Sequence, residues 1–172
     1  HTLIVFDAVR PRSVQQIMWD SIDVPSYQRS KYVMNPKYGS MHNYGVAVDV
    51  SIADTMGNPV DMGTDFDSFE KLAYPVLEEQ MLKNGKLTQE QYDNRKLLRR
   101  IMHKAGFYHI STEWWHFGGC SGKWAKTQYT AIEYHKATKA SKSAEVTHEE
   151  EAQVNIVFRV QIHTSQKPIT EH

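Results

Sequence analysis

Apolar residues occupy every second position from Val46 to Ile52, and Asp49 is among the residues between them. Because successive side chains of a strand point to opposite faces, this pattern predicts a strand with one apolar face and one face that carries a carboxylate. The apolar run over residues 3–6 predicts a buried strand, and residues 108–110 predict another. Alternation returns over residues 154–162, which predicts one further strand.

Helical spacing is clearest in the middle of the chain. Thr88 and Gln91 have the spacing of a capping box, and Gly106 is a residue of the kind that ends many helices. The apolar stripe between them consists of Leu98, Ile101, Met102 and Ala105. A second helix is predicted to begin at Phe69 and to be interrupted or kinked at Pro75. Together these elements predict an α+β fold in which helices pack on a mainly antiparallel sheet.

Composition excludes several classes of protein. The chain has 172 residues, with 20 basic and 20 acidic side chains, so its formal net charge is zero. Zero net charge without a block of Lys and Arg argues against a nucleic-acid groove, and no apolar run is long enough to span a membrane. A single cysteine, Cys120, excludes an internal disulfide. Residues 136–152 contain almost no large apolar side chain, which predicts a solvated linker.

Nine histidines against one cysteine indicate that any transition-metal site uses imidazole and carboxylate ligands. His42 precedes the strand that carries Asp49, and His116 follows Glu113 by three positions. Two imidazoles and one carboxylate would leave one position of a zinc ion open, which is typical of catalytic sites. A nearby carboxylate that is not a ligand, such as Glu113, can take a proton during attack by water. Glu113 and His116 would point to opposite faces of a regular strand, so a shared site requires a helical turn or a bend between them.

Ordinary structural roles are also open to these residues at this stage. A histidine near a strand is usually hydrogen-bonded or exposed, and Trp114 and Trp115 are typical core residues. Arg10 could lie on the surface, and Asp67 could cap a helix. Asp49 favours the metal site, because an aspartate inside a valine-rich strand is costly to bury unless it is paired or coordinated.

Four segments resemble the motifs of the VanX-like D-alanyl-D-alanine dipeptidases, in that family's order. S-M-H-N-Y-G-V-A-V-D over residues 40–49 is similar to S-x-H-x-x-G-x-A-x-D, and E-W-W-H over residues 113–116 is similar to E-x-W-H. D-A-V-R-P over residues 7–11 resembles D-G-Y-R-P, with an altered second and third position. M-G-T-D-F-D over residues 62–67 resembles M-G-[ST]-x-F-D. The resemblance predicts a zinc D,D-dipeptidase.

The resemblance implies a chemical role for five of these residues. One zinc ion per chain would be bound by His42, Asp49 and His116, which places the zinc site on the sheet. Glu113 would be the general base that activates water on the zinc. Arg10 would stabilise the oxyanion of the tetrahedral intermediate, because a cation is most useful where negative charge develops.

The same resemblance implies how a small dipeptide would be held as the substrate. Asp67 would contact its ammonium group, and Ser40 would help to hold its carboxylate. The implied activity is therefore the zinc-dependent hydrolysis of D-Ala-D-Ala. The alternatives left open are a zinc D,D-carboxypeptidase or endopeptidase that acts on peptidoglycan stem peptides, and a non-catalytic cell-wall binding module.

The domain organisation follows from the motifs and the composition. We expect residues 1–135 to form the catalytic domain without the lead-in that the family carries before its first motif. Residues 136–153 are expected to form the linker, and residues 154–172 an isolated strand or the start of a second module. F-R-V-Q-I over residues 158–162 resembles the opening strand of sporulation-related repeats, which would imply weak association with peptidoglycan. A bacterial protein is expected, with the periplasm or cell envelope favoured over the cytoplasm.

Overall fold

The computed structural model describes residues 2–133, which form an antiparallel sheet of four strands with helices packed beside it. The strands, in chain order, are β1 (Thr2–Asp7), β2 (Ala47–Ala53), β3 (Tyr108–His109) and β4 (His116–Gly118). Their order in the sheet is β1-β2-β4-β3, and every pair is antiparallel. The α-helices are α1 (Arg12–Ser21), α2 (Glu78–Lys83), α3 (Gln89–Lys104) and α4 (Gly122–Gln128). The predicted α+β class is confirmed.

Helix α3 forms where the sequence predicted it. The Thr88 hydroxyl accepts a hydrogen bond from the Gln91 N–H, and the Gln91 side chain accepts one from the Thr88 N–H, at 3.1 and 2.9 Å. Gly106 follows the helix with a φ of +88°, a left-handed conformation that glycine adopts without steric cost. Of the predicted apolar stripe, Leu98 and Met102 are buried, whereas Ile101 and Ala105 are exposed.

The core lies between strand β2 and helix α3. Val50 and Ile52 of β2 contribute to it, as predicted. The other buried members are Met62, Ala73, Leu98, Met102, Trp114, Trp115 and Phe117. The opposite face of β2 is also covered, because Asp49 and Ser51 are buried too. A carboxylate thus sits in a strand that is enclosed on both faces.

Two predictions about individual elements are wrong. Strand β1 is only partly buried: Phe6 packs against the core, but Leu3 and Val5 of this edge strand are 46% and 60% exposed. No helix begins at Phe69 in the described part of the chain. Residues 71–77 form two short 3-10 turns instead, and α2 begins at Glu78. Pro75 starts the second turn, where its missing N–H is not needed.

The predicted linker over residues 136–153 and the predicted strand over residues 154–162 lie outside the described residues. Between residues 2 and 133, none of the helices is long and apolar enough to cross a membrane.

Candidate active site

Three elements bring His42, Asp49 and His116 together at one end of the sheet. His42 belongs to a short 3-10 turn (Met41–Tyr44) that leads into β2, while Asp49 and His116 lie directly opposite each other on β2 and β4. The His42 Nε2 atom is 3.2 Å from His116 Nδ1 and 3.3 Å from Asp49 Oδ2. The His116 Nδ1 atom is 2.9 Å from Asp49 Oδ1. These residues could hold a metal ion.

The separations between these atoms fit a small tetrahedral ion. Zinc binds nitrogen and oxygen ligands at about 2.0–2.1 Å, so two ligands at tetrahedral angles lie about 3.3 Å apart. The His42 ring is oriented as a ligand should be, because its Nδ1 donates a hydrogen bond of 2.9 Å to the Ala8 carbonyl. A carbonyl oxygen only accepts, so Nδ1 carries the hydrogen and the neutral ring directs its Nε2 lone pair towards Asp49 and His116.

The charges within this cluster stabilise one another. Burial alone would raise the pKa of Asp49, but when the rings of His116 and His42 are protonated, their hydrogen bonds lower that pKa far below its usual range. Burial alone would lower the pKa of His42, but the hydrogen bond and the charge of Asp49 raise it above its usual value. Asp49 is therefore ionised, and it attracts a positive charge, either a proton on the imidazoles or a cation.

The chain bends at Trp114 and Trp115, as the shared site requires. On a regular strand two residues three positions apart would point to opposite faces, but the bend places Glu113 Oε2 3.8 Å from His116 Nδ1. Burial raises the pKa of Glu113, and the nearby charge of Asp49 raises it further, while His116 acts in the opposite direction. A half-buried carboxylate with a raised pKa beside a metal site is suited to accept and release a proton.

Arg10 is not an ordinary surface residue, which is one of the roles open to it from the sequence. Its Nη2 atom lies 3.9 Å from Asp49 Oδ2, so its guanidinium borders the candidate metal site. Asp7 accepts from Arg10 Nε at 2.7 Å and pairs with Nη2 at 2.5 Å. The register of β1 on β2 shifts by one residue after Val5, so that Asp7, rather than Phe6, lies opposite Asp49.

Asp67 has an unusual backbone conformation. Its φ is +60°, and among the described residues it is the one non-glycine residue with a positive φ. Water reaches its side chain, but the protein atoms around its carboxylate and the charge of Asp49 raise its pKa to about 7. Arg10 and Glu113 also influence this pKa, so their charges lie close enough to the Asp67 carboxylate to affect it. Left-handed backbone at a non-glycine residue is typical of sites where a side chain is held for a function.

Ser40 has a hydroxyl that is buried and has no hydrogen-bond partner within residues 2–133. Its backbone N–H donates to the side chain of Asn43, which in turn donates to the carbonyl of Arg10, both at 2.7 Å. Asn43 thereby joins two of the sequence motifs. A buried hydroxyl of this kind can form a further hydrogen bond, either with a polar group of a ligand or with water.

A family profile described as D-ala-D-ala dipeptidase, Peptidase_M15, matches residues 1–137. The chain belongs to this family. It is 34% identical over 115 residues to the D-alanyl-D-alanine dipeptidase of Escherichia coli strain K12, an alignment that covers 67% of this chain and 53% of the relative. The protein of the same description from Synechocystis is 29% identical over 151 residues, which covers 72% of this chain and 61% of the relative. The chain thus spans about half to three fifths of the length of these curated relatives.

Sequence reasoning missed three residues of this Peptidase_M15 site. Asp7 opens the first motif but received no role, and Asn43 lies beside a predicted ligand. The third is Gln15, which is fully buried and accepts a hydrogen bond of 2.9 Å from Arg10 Nη1. The motif positions of Asp7 and Asn43 could have pointed to them. No signal marks Gln15, because a glutamine on a helix is usually exposed.

The M-G-T-D-F-D segment over residues 62–67 is held by side chains from the core. Arg95 is buried, and its Nε donates a hydrogen bond of 2.6 Å to the Met62 carbonyl. The Trp114 indole N–H donates to the Thr64 hydroxyl at 2.8 Å. Phe66 stacks on the Phe6 ring with centroids 4.5 Å apart. The loop that carries Asp67 is therefore anchored at Met62, Thr64 and Phe66.

Proposed function

We propose that this protein hydrolyses D-Ala-D-Ala with one zinc ion held by His42, Asp49 and His116. The observation that carries the proposal is the convergence of these three groups, at separations typical of zinc ligands, beside Glu113 and Arg10. The names of the relatives support the same substrate. Zinc, when bound, would polarise the peptide carbonyl and lower the pKa of water.

Glu113 would move the proton in this reaction. Its Oε2 would accept a proton from the attacking water and would then donate it to the amide nitrogen of the leaving D-Ala. The raised pKa of Glu113 supports this cycle, because a carboxylate with a very low pKa would not return the proton. The distance of 3.8 Å from His116 Nδ1 keeps Glu113 near the site without making it part of the compact ligand cluster.

Arg10 would bind the oxygen on which negative charge develops. Its guanidinium is always charged and lies beside Asp49, one of the residues that would hold the zinc ion, so Arg10 would donate hydrogen bonds to the oxyanion next to this group. The ion pair with Asp7 holds the side chain in place before substrate arrives, and a group held in this way needs little reorganisation during the reaction.

Asp67 and Ser40 would bind the two ends of the substrate. A free dipeptide has an ammonium and a carboxylate at a fixed separation, and a longer peptide lacks one of these charges at the same place. Asp67 offers a carboxylate held in a left-handed loop, and Ser40 offers a buried hydroxyl without a partner among residues 2–133. Recognition of both ends would favour dipeptides over stem peptides.

The decisive experiment combines metal analysis with two substrates. The purified full chain, saturated with zinc, is assayed for release of D-Ala from D-Ala-D-Ala and from a stem pentapeptide that ends in D-Ala-D-Ala. We expect about one zinc per chain and cleavage of the dipeptide only. Cleavage of the pentapeptide alone would show a D,D-carboxypeptidase or endopeptidase, and binding without turnover of either would show a non-catalytic cell-wall module.

Two properties stay predictions: location in the periplasm or cell envelope, and weak binding to peptidoglycan. Sedimentation of the purified chain with isolated peptidoglycan, with and without residues 154–172, tests the second of them. Retention that does not depend on this segment would contradict its assignment to the cell wall.

A further inference from the structure

Gln15 is a fully buried polar residue in helix α1, and both ends of its amide are used. Its Oε1 accepts the hydrogen bond from Arg10 Nη1, and its Nε2 donates one of 2.7 Å to the Met34 carbonyl. A carbonyl only accepts and a guanidinium only donates, so one orientation of the amide satisfies both partners. The backbone at Met34 therefore fixes the direction in which Gln15 presents its acceptor to Arg10.

The guanidinium of Arg10 is held at two of its edges. Of its five N–H groups, Asp7 takes one on Nε and one on Nη2, while Gln15 takes one on Nη1. One N–H remains on each terminal nitrogen, and Nη2 is the nitrogen that lies near Asp49. These two N–H groups are the ones left to contact a bound oxyanion.

Gln15 carries no charge, and this matters for the positive charge that Arg10 can offer. Asp7 and Asp49 both attract Arg10, and a third carboxylate would reduce the positive charge available to an oxyanion. An amide oxygen fixes the Nη1 edge without adding negative charge. If Gln15 is removed, the guanidinium keeps only its carboxylate partners, and its Nη1 edge is free to rotate.

We propose that Gln15 is a positioning residue that fixes the orientation of the Arg10 guanidinium for stabilisation of the transition state. The proposal rests on the function proposed above. Gln15 acts through Arg10 and is not expected to touch the substrate. The contrasting role is a purely structural one, in which Gln15 only joins α1 to the segment around Met34.

Steady-state kinetics separate these roles. Gln15→Met keeps the length of the side chain but removes both hydrogen bonds, and it is expected to lower kcat for D-Ala-D-Ala by about 10- to 100-fold with little change in KM, because a small misplacement of a transition-state group has this effect. The matched control is Gln16→Met, since Gln16 is the neighbouring exposed residue and its amide donates to Asp20 rather than to Arg10. This control should keep the kcat of the original protein.

A double-mutant cycle shows whether Gln15 acts through Arg10. Arg10→Ala is expected to lower kcat by about 100- to 1000-fold. The double variant Arg10→Ala with Gln15→Met should be no slower than Arg10→Ala alone, because the residue that Gln15 positions is already missing. Multiplied losses in the double variant would overturn the proposal, as would a Gln15→Met variant with unchanged kcat.

Nitrogen-15 NMR gives a second readout that needs no activity. In the original chain, rotation about the Cζ–Nη bonds of Arg10 should be slow, because three of its N–H groups are bonded. Gln15→Met should speed up the rotation at Nη1, while Gln16→Met should not. If the original chain fails to hydrolyse D-Ala-D-Ala, the proposed function fails while this measurement still tests the restraint on Arg10. Equal rotation rates in the original chain, Gln15→Met and Gln16→Met would overturn the proposal that Gln15 positions Arg10.

Gln15→Glu covers the case in which Gln15→Met does not fold. A glutamate keeps an acceptor for Arg10 Nη1 but sets its second oxygen against the Met34 carbonyl. If Gln15→Met folds, a higher kcat in Gln15→Glu than in Gln15→Met would support the proposal. If Gln15→Met unfolds, the proposal would be supported by a Gln15→Glu variant whose rotation at Nη1 stays slow and whose kcat is lower than that of the original chain. An unchanged kcat in Gln15→Glu together with fast rotation would contradict it.

Discussion

The Nε2 atom of His42 lies 3.2 Å from the Nδ1 atom of His116, although 74 positions separate the two residues in the chain. His42 Nδ1 already donates to Ala8, so the facing Nε2 has a lone pair when the ring is neutral. If the His116 Nδ1 atom also carries a lone pair, the two lone pairs repel each other unless a proton or a cation lies between them, whereas a proton on His116 Nδ1 is shared with Asp49 Oδ1 at 2.9 Å. The pair is therefore arranged to share a positive charge with Asp49.

Loss of a predicted ligand should abolish metal binding. In His116→Ala, two of the three ligands remain, and we expect zinc content measured by mass spectrometry to fall far below one ion per chain. His109→Ala is the matched control, because His109 is an exposed histidine of β3 that lies outside the cluster. Zinc should raise the thermal midpoint of the control by ligand linkage and should leave His116→Ala unchanged. An equal zinc content in both variants would contradict the assignment of His116.

Glu113→Gln should separate metal binding from proton transfer. The amide cannot accept a proton, so kcat for D-Ala-D-Ala is expected to fall by about 100- to 10,000-fold while the zinc content is unchanged. Glu79→Gln, at an exposed position of α2, should lose neither. A Glu113→Gln variant that has lost its zinc as well would show that Glu113 is a ligand.

Asp67→Asn should weaken substrate binding with little effect on the fold. Asparagine tolerates the left-handed conformation with φ near +60°, but it lacks the charge that would attract the ammonium. We expect KM to rise by about 10- to 100-fold, the amount that a hydrogen bond to a charged group contributes. Asp65→Asn, an exposed residue of the same loop, is the control. A KM that rises equally in both variants would indicate a general charge effect.

Asp67→Ala adds a conformational cost to the loss of charge. A residue with a Cβ atom and no polar side chain is unfavourable in the left-handed region by about 1–2 kcal/mol. The free energy of unfolding, measured with urea, should therefore be lower for Asp67→Ala than for Asp67→Asn. Equal stabilities would mean that the backbone at this position relaxes after the substitution.

Glu78→Ala should destabilise the domain strongly. Glu78 is buried and accepts two hydrogen bonds from Arg99, at 3.0 and 2.6 Å, while Arg95 Nη1 lies 3.7 Å away. Its removal takes the ion-pair partner Glu78 from the buried Arg95, which costs about 3–5 kcal/mol in the free energy of unfolding. Glu79→Ala next to it should change this free energy by less than about 0.5 kcal/mol, because Glu79 is exposed. A similar loss in both variants would contradict the role of the buried network.

Local signals in the sequence predicted the parts of the fold that depend on neighbouring residues. The capping box of Thr88 and Gln91 and the glycine at position 106 predicted helix α3 because a helix end is determined by a few adjacent groups. Asp49 was recognised as unusual because a carboxylate in an apolar strand needs a partner. The bend at Trp114 and Trp115 followed from the demand that Glu113 and His116 share one site.

Other features depend on long-range packing and could not be predicted in this way. An apolar run predicts a strand, but whether it has one neighbour or two is decided by sheet order, and β1 is at the edge. The helix predicted at Phe69 is replaced by short turns in which the Leu72 carbonyl accepts a hydrogen bond from Arg95. Gln15 was missed for the same reason, because its partners lie outside its own helix.

The one-residue shift in β1 makes the candidate site sensitive to strand alignment. Asp7, Asp49 and His116 form one row across three strands, and a slip by one residue would turn a strand's side chains to the opposite face. A chain with β4 displaced by one position would offer two ligands and bind zinc poorly. Zinc present at about 100 times its dissociation constant during refolding would favour the correct alignment by about 2.7 kcal/mol. The ion would then select the correctly paired sheet before it takes part in any reaction.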